Sequence, residues 1–358
     1  MLTPWGELED LDLKDTEVAE RILSADKHQL VEGLCVECLF DQFIENVPAH
    51  VPGILPLDIE TVIIDRHRGP DRWLAVVWAR AKTEGLGRFI AALENRFAVF
   101  LVNLEPGAGF VGSRIIGGKR VASRMPLDDL LRPFATTSHT PFSVDASVRD
   151  TSRQRRVIWG FLFDRYGDRL AEHVLLPRLL INCGIQPWFR AVWNLDRIFI
   201  ADGVPWLFEV KHKYPFEKKS LNFGINNGEL NVLGLLADCG AKVLHSIMVK
   251  PRWSKDVGSL YMLNDMAARD RTAIVGLALD AQRIAGIMGG VSGKSGADTT
   301  ITGAGSLNYK SIPVRDFGMF GVFSDKPATI AEKLVGEMRG TPSPRVTEQE
   351  LQALRLPV

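Results

Sequence analysis

Apolar and polar positions alternate along this chain in a way that separates helices from strands. Residues 1 to about 45 read as helical, because an acidic start (Glu7, Glu9, Asp10, Asp12) leads into apolar residues at helical spacing through Val31, Leu34 and Leu39. Strand-like runs follow at Thr61 to Ile64 and Trp73 to Trp78, then a helix from about Thr83 to Asn95 and a strand at Phe97 to Val102. Together they predict an α/β or α+β unit. From Pro106 to Asp150 the chain is rich in Gly, Pro, Ser and Thr, which predicts a long connection with one short helix near Leu127 to Leu131 and a boundary near residue 150.

The next block reads helix, strand, strand, strand, helix, strand. A helix from about Asp168 to Cys183 is capped by Gly184, with Pro177 marking a kink or a start. Pro187 to Asn194 is a first strand, Glu229 to Cys239 a helix, and Lys242 to Lys250 a final strand. Between them, two alternating runs flank Asp202-Gly203, the dipeptide that favours a two-residue hairpin turn. If these two residues form the loop, Ala201 faces Val204, and counting back places Asp196 opposite Glu209. Lys211 then shares the face of Glu209, and Val210 points the other way, because side chains on a strand repeat every second residue. Two carboxylates side by side repel each other, so the fold needs a compensating cation. Beyond Trp253 the pattern predicts a helix from about Asp265 to Met288 and a glycine-rich loop (Gly289, Gly290, Gly293, Gly296, Gly303, Gly305). One or two strands near Ile312 to Phe323, a helix from about Thr329 to Met338 and a Pro-rich tail follow.

The 358 residues suffice for two or three domains and a sizeable core. Apolar content of 46% and balanced charge (43 basic, 43 acidic residues) are those of a soluble protein without a global positive field. Four cysteines make no disulfide framework, the N-terminus lacks an export signal, and no run of about 18 apolar residues occurs. The expectation is a cytoplasmic protein with no membrane contact.

Residues 168 to 250 resemble the PD-(D/E)XK, or restriction-endonuclease-like, nucleases. The match is Asp196 opening the second strand and Glu209-Val210-Lys211 on the third, with Glu172, after Ala171, as the family's helix-borne acid. Leu195 stands where the family commonly has Pro, and Asn231 or Glu229 stands for the Gln of the second helix. The resemblance implies an α/β fold with a restriction-endonuclease-like core at residues 151–255. Residues 1–150 would be an N-terminal accessory or recognition domain, and residues 256–358 a C-terminal extension. It also implies hydrolysis of DNA phosphodiester bonds by metal-activated water. Asp196, Glu209 and the Val210 carbonyl would hold Mg²⁺, with Mn²⁺ able to substitute, Lys211 would act on the water or the developing charge, and Glu172 would complete the catalytic set.

Those residue types suit the chemistry independently, since Mg²⁺ takes a few carboxylate oxygens and keeps several waters. Lys213, Lys218 and Lys219 follow at once and are expected to grip a phosphate backbone; Arg153, Arg155 and Arg156 form a second basic run, read equally as a charged helix start. DNA is the expected partner ahead of RNA, with a homodimer or protein partner engaged through the N-terminal unit. The competing expectation is an inactive nuclease-like fold serving binding or assembly. Cys35 and Cys38, with His28 and His50 nearby, have zinc-like spacing but read as core cysteines; Gly293-Lys294-Ser295 lacks the first glycine of a phosphate loop.

Overall fold

The computed structural model describes residues 1–47, 52–81, 83–295 and 306–358. His50, Gly296 and Gly303, Gly305 lie outside these. The chain is a mixed α/β protein with several sheets, two of which dominate.

The six-stranded sheet runs in the order Gly318–Val322, Ala273–Leu279, Lys242–Val249, Val204–Lys213, Arg197–Ala201, Ile54–Leu57. Only Val204–Lys213 and Lys242–Val249 are parallel, and the helix Asn227–Asp238 lies in their connection, as a parallel pair requires a crossover. One face buries Phe199, Phe208 and Val210 against Phe40 and Phe43 of the helix His28–Ile44 and Leu334 of the helix Pro327–Met338. The opposite face buries Ile198, Leu207 and Ile247 against Leu230, Leu233 and Leu236 of Asn227–Asp238. Period-two alternation along the strands sends these two sets to opposite sides.

The seven-stranded sheet contains Ala191–Leu195, Ile59–Asp65, Trp73–Ala79, Ala98–Glu105 and Gly109–Ile116 in that order, followed by short strands. Its outer face packs on the helix Thr16–Ser24 and the helical stretch 151–185. Its inner face joins the core beneath Asn227–Asp238. Between Ile54–Leu57 and Ile59–Asp65 stands only Asp58, and between Ala191–Leu195 and Arg197–Ala201 only Asp196. The two segments are antiparallel partners in both sheets, so a single ribbon changes sheet at these two aspartates.

Several expectations are corrected. Pro187 to Asn194, expected as the first strand beside the hairpin, is Ala191–Leu195 in the other sheet; the edge beside Arg197–Ala201 is filled by Ile54–Leu57. The hydrogen-bonded sheets therefore cross the expected limit at 150, and Ala273–Leu279 and Gly318–Val322 carry them past 255 as well. The helix expected at 265–288 is broken into Met266–Asp270, the strand Ala273–Leu279 and Ala281–Met288, because the run Ala-Ile-Val-Gly-Leu-Ala-Leu is buried between two strands. The connection 106–150 contains the strand Gly109–Ile116, masked in the sequence by its glycines. Gly112 is needed there, since a Cβ would lie 2.9 Å from the Leu101 carbonyl oxygen. Gly184 does not end its helix, which continues to Ile185 through π-type turns. The glycine-rich stretch includes the strand Ser292–Lys294, paired with Asn308–Pro313; Gly293 admits the Tyr309 ring there.

Candidate functional site

The hairpin has the register expected from its turn. Ala201 pairs with Val204 and Arg197 with Phe208; Asp196 is the next residue, just outside the paired strand. Both turn residues take positive φ, 51° at Asp202 and 83° at Gly203, which suits the type I′ loop that matches strand twist. The Val210 N–H donates to Asp196 Oδ2 at 2.7 Å, and the Val210 side chain enters the opposite core. Lys211 Nζ donates to Glu209 Oε1.

Two further acids join this cluster. Glu229, in the first turn of Asn227–Asp238, has Oε1 3.8 Å from Lys211 Nζ and 3.9 Å from Nδ1 of the fully buried His245. That oxygen and both His245 ring nitrogens are buried without a hydrogen bond. Glu37, on His28–Ile44, acts electrostatically on the same group, and Asp41 one turn on binds Arg197 at 2.8 Å. Glu229 is one of the two candidates the sequence offers on the second helix; Glu37 carries no such signal, because nothing local links a mid-helix glutamate to a hairpin so far downstream.

The electrostatics follow from a few cations among several carboxylates. Burial first, then the Asp196 charge, raises Glu209 well above the ordinary carboxylate range. Burial likewise raises Asp196, with Lys211 only partly opposing it. Glu37 is pushed up to about 8 by burial and by Asp196. Burial would strip the proton from Lys211, but Glu209, Glu229 and Asp196 outweigh it and hold the amine well above its usual value. Glu229 is lowered: burial opposes its charge, yet Lys211 and Lys213 prevail. The site therefore carries more carboxylates than its cations neutralise, and burial together with mutual repulsion disfavours full ionisation of Asp196 and Glu209.

Among the described residues no three His, Cys, Asp or Glu side chains stand at metal-ligand spacing, and the Lys211 ammonium rests on Glu209. The donors nonetheless fit Mg²⁺, which binds through one or two carboxylates and retains water. Asp196 and Glu209 supply those two.

Glu172 is not brought to the cluster. It is exposed, and its carbonyl accepts from Arg80 Nε at 3.2 Å. The helix that bears it packs on the seven-stranded sheet instead. Lys213 turns inward: Nζ donates to the Gly224 carbonyl at 2.7 Å, and burial lowers its pKa. Lys218 donates to Ser311 Oγ at 3.0 Å and lies over the Phe216 and Tyr309 rings, while Lys219 is exposed. Arg153 pairs with Glu32 and Arg155 with Glu20. Cys35 and Cys38 are buried and free. A cleft of about 410 Å³ lies where the ribbon changes sheet, walled by Asp41, Arg197, Glu60, Arg80 and Tyr166 but by none of Asp196, Glu209, Lys211 and Glu229. No helix is long and apolar enough to cross a membrane among the described residues. No protein-family model matches the chain, and neither a curated protein nor a solved structure does.

Proposed function

We propose that the chain is a Mg²⁺-dependent nuclease with a restriction-endonuclease-like core, hydrolysing DNA phosphodiester bonds in a reducing cytoplasm. The observation that carries the reading is the convergence of Asp196, Glu209 and Lys211 on one another. The order His28–Ile44, Ile54–Leu57, Arg197–Ala201, Val204–Lys213, Asn227–Asp238, Lys242–Val249 supports it, since it repeats the family's helix, three strands, helix, strand. In this reading residues 59–195 are an insertion between the first two core strands, and Glu37 takes the part of the helix-borne acid.

Asp196 and Glu209 would hold the ion, which supplies polarisation of a phosphoryl oxygen and a lowered pKa for the attacking water. Asp196 is kept in place by the Val210 N–H. Lys211, kept charged by its acidic neighbours, would leave Glu209 for the developing negative charge on the phosphoryl group, where a compact ammonium stabilises the transition state more than the ground state. Glu229 would steady the lysine during that shift.

Purified protein should cut plasmid or single-stranded DNA with Mg²⁺ or Mn²⁺ and not with chelator, and Lys211→Ala and Asp196→Asn should each abolish cutting. Cleavage that survives both changes would remove the site. Calorimetry should show Mn²⁺ binding that Glu209→Gln eliminates. A second reading, a nucleic-acid-binding module without catalysis, is favoured by the Lys211–Glu209 contact; it requires nucleic-acid binding, to DNA or RNA, with no metal-dependent cutting.

A further inference from the structure

We propose that His245 is a nitrogen ligand beside the carboxylate cluster, so that the site takes a first-row transition ion such as Mn²⁺ in preference to Mg²⁺. The inference rests on the metal-dependent reading above and deepens it.

His245 stands in the middle of Lys242–Val249, directly beside Glu209 in the parallel ladder. Its neighbours on that face, Val243 and Ile247, are fully buried apolar residues in the core shared with the helix Asn227–Asp238. The imidazole is fully buried as well, yet neither ring nitrogen has a hydrogen-bond partner among the described residues. A leucine or valine would fill such a position without leaving two polar atoms unsatisfied. His212, on the neighbouring strand, shows the contrast: its nitrogens meet Ser259 Oγ at 2.9 Å and Tyr261 Oη at 2.7 Å. Burial holds His245 down at about 3, so its ring is neutral, the form that binds metal ions.

The acid that His245 faces is in the same condition. Glu229 Oε1 lies 3.9 Å from His245 Nδ1 and is also buried without a hydrogen bond. That gap is too long for a hydrogen bond, whereas an ion making two bonds of about 2.1 Å spans it. The Lys211 ammonium lies 3.8 Å from the same oxygen and rests on Glu209, so a cation is already held between the two acids. Among the described residues no third acid completes a ligand set in this arrangement; Glu209 is occupied by the ammonium and is released to the ion when Lys211 moves. Imidazole nitrogen suits transition ions, whereas Mg²⁺ is held through oxygen. One buried histidine thus sets the choice of ion.

The test is metal binding by the full chain with no nucleic acid present. Calorimetry should show Mn²⁺ bound more tightly than Mg²⁺. His245→Leu should weaken Mn²⁺ on the order of tenfold or more, a loss that even residues orienting a ligand produce, and should change Mg²⁺ little. In the Mn²⁺-loaded protein, electron spin echo measurements should show coupling to an imidazole nitrogen that His245→Leu removes. The metal-free melting temperature of this variant should match or exceed that of wild type, because leucine replaces unsatisfied polar atoms. If it folds poorly instead, Glu229→Gln should give the same loss of Mn²⁺ preference. Mn²⁺ bound without nitrogen coupling, or equal weakening of both ions by His245→Leu, would overturn the ligand assignment and leave Asp196 and Glu209 as the site. A bound ion with nitrogen coupling but no cutting of nucleic acid would remove the nuclease reading and keep this one. Wild type that binds no divalent ion would end both.

Discussion

Glu37, a half-buried acid, shows how one side chain can shape the pH response of this chain. Its carboxyl holds a proton up to about pH 8 in the folded chain, against 4.5 when unrestrained. The native state therefore binds more protons than the unfolded state between these values, and its contribution is full below about 4.5 and lost as pH rises through 8. Asp196 and Glu209 are raised in the same sense. In metal-free buffer the melting temperature should fall from pH 5 to 8.5, and Glu37→Gln should make that fall shallower. Equal slopes in the two proteins would show that Glu37 does not carry the proton. Asp65 works in the opposite direction. Burial would raise it, but Arg72 and the His67 N–H hold it below its ordinary value, so its share of stability is present above about pH 4 and lost in stronger acid. Nothing around Glu37 in the sequence distinguishes it from Glu32 or Glu45; its role comes from the packing of His28–Ile44 on the sheet.

Among the elements, the hairpin decides the site. Its two-residue loop needs positive φ at both positions, and only glycine adopts that conformation without cost. Gly203→Ala should destabilise the chain by roughly 1–2 kcal/mol in urea unfolding, with Arg88 shifting because its Nη1 lies 2.7 Å from the added Cβ. An unchanged midpoint would mean the loop relaxes to another type. The strands Ile59–Asp65, Trp73–Ala79 and Lys242–Val249 are legible as β-branched and apolar stretches. Ala273–Leu279 was not, since a short apolar run looks the same in a buried helix and a buried strand. The two ends of the six-stranded sheet, Ile54–Leu57 and Gly318–Val322, are paired with strands distant in sequence, which no local pattern encodes.

For the molecule as a whole, the joint between the sheets matters most. Arg80, only 4% exposed at its side chain, binds Asp58 at 3.0 Å and also Glu60, and donates to the Glu172 carbonyl. It ties the ribbon where it changes sheet to the helical stretch behind it, one step from Asp196. Removing one member of a buried pair strands the other in a poorly solvated place. Arg80→Met should therefore cost about 3 kcal/mol in chemical unfolding, with both sheets lost in one transition. Separate transitions for the two sheets would show that the joint does not couple them.

The sequence by itself determined the hairpin, its register and the faces of Asp196, Glu209, Val210 and Lys211, because a two-residue turn and a period of two are local properties. It also determined the helix Asn227–Asp238, whose first turn holds Glu229. Only the tertiary structure decided that Glu172 packs with its helix on the seven-stranded sheet, that the Lys213 ammonium binds the Gly224 carbonyl, and that Glu229 comes within 3.8 Å of Lys211. Each of these depends on which distant segments pair and pack. That choice is made by burying the faces of two sheets that share a single ribbon, and it is settled only when the whole core forms.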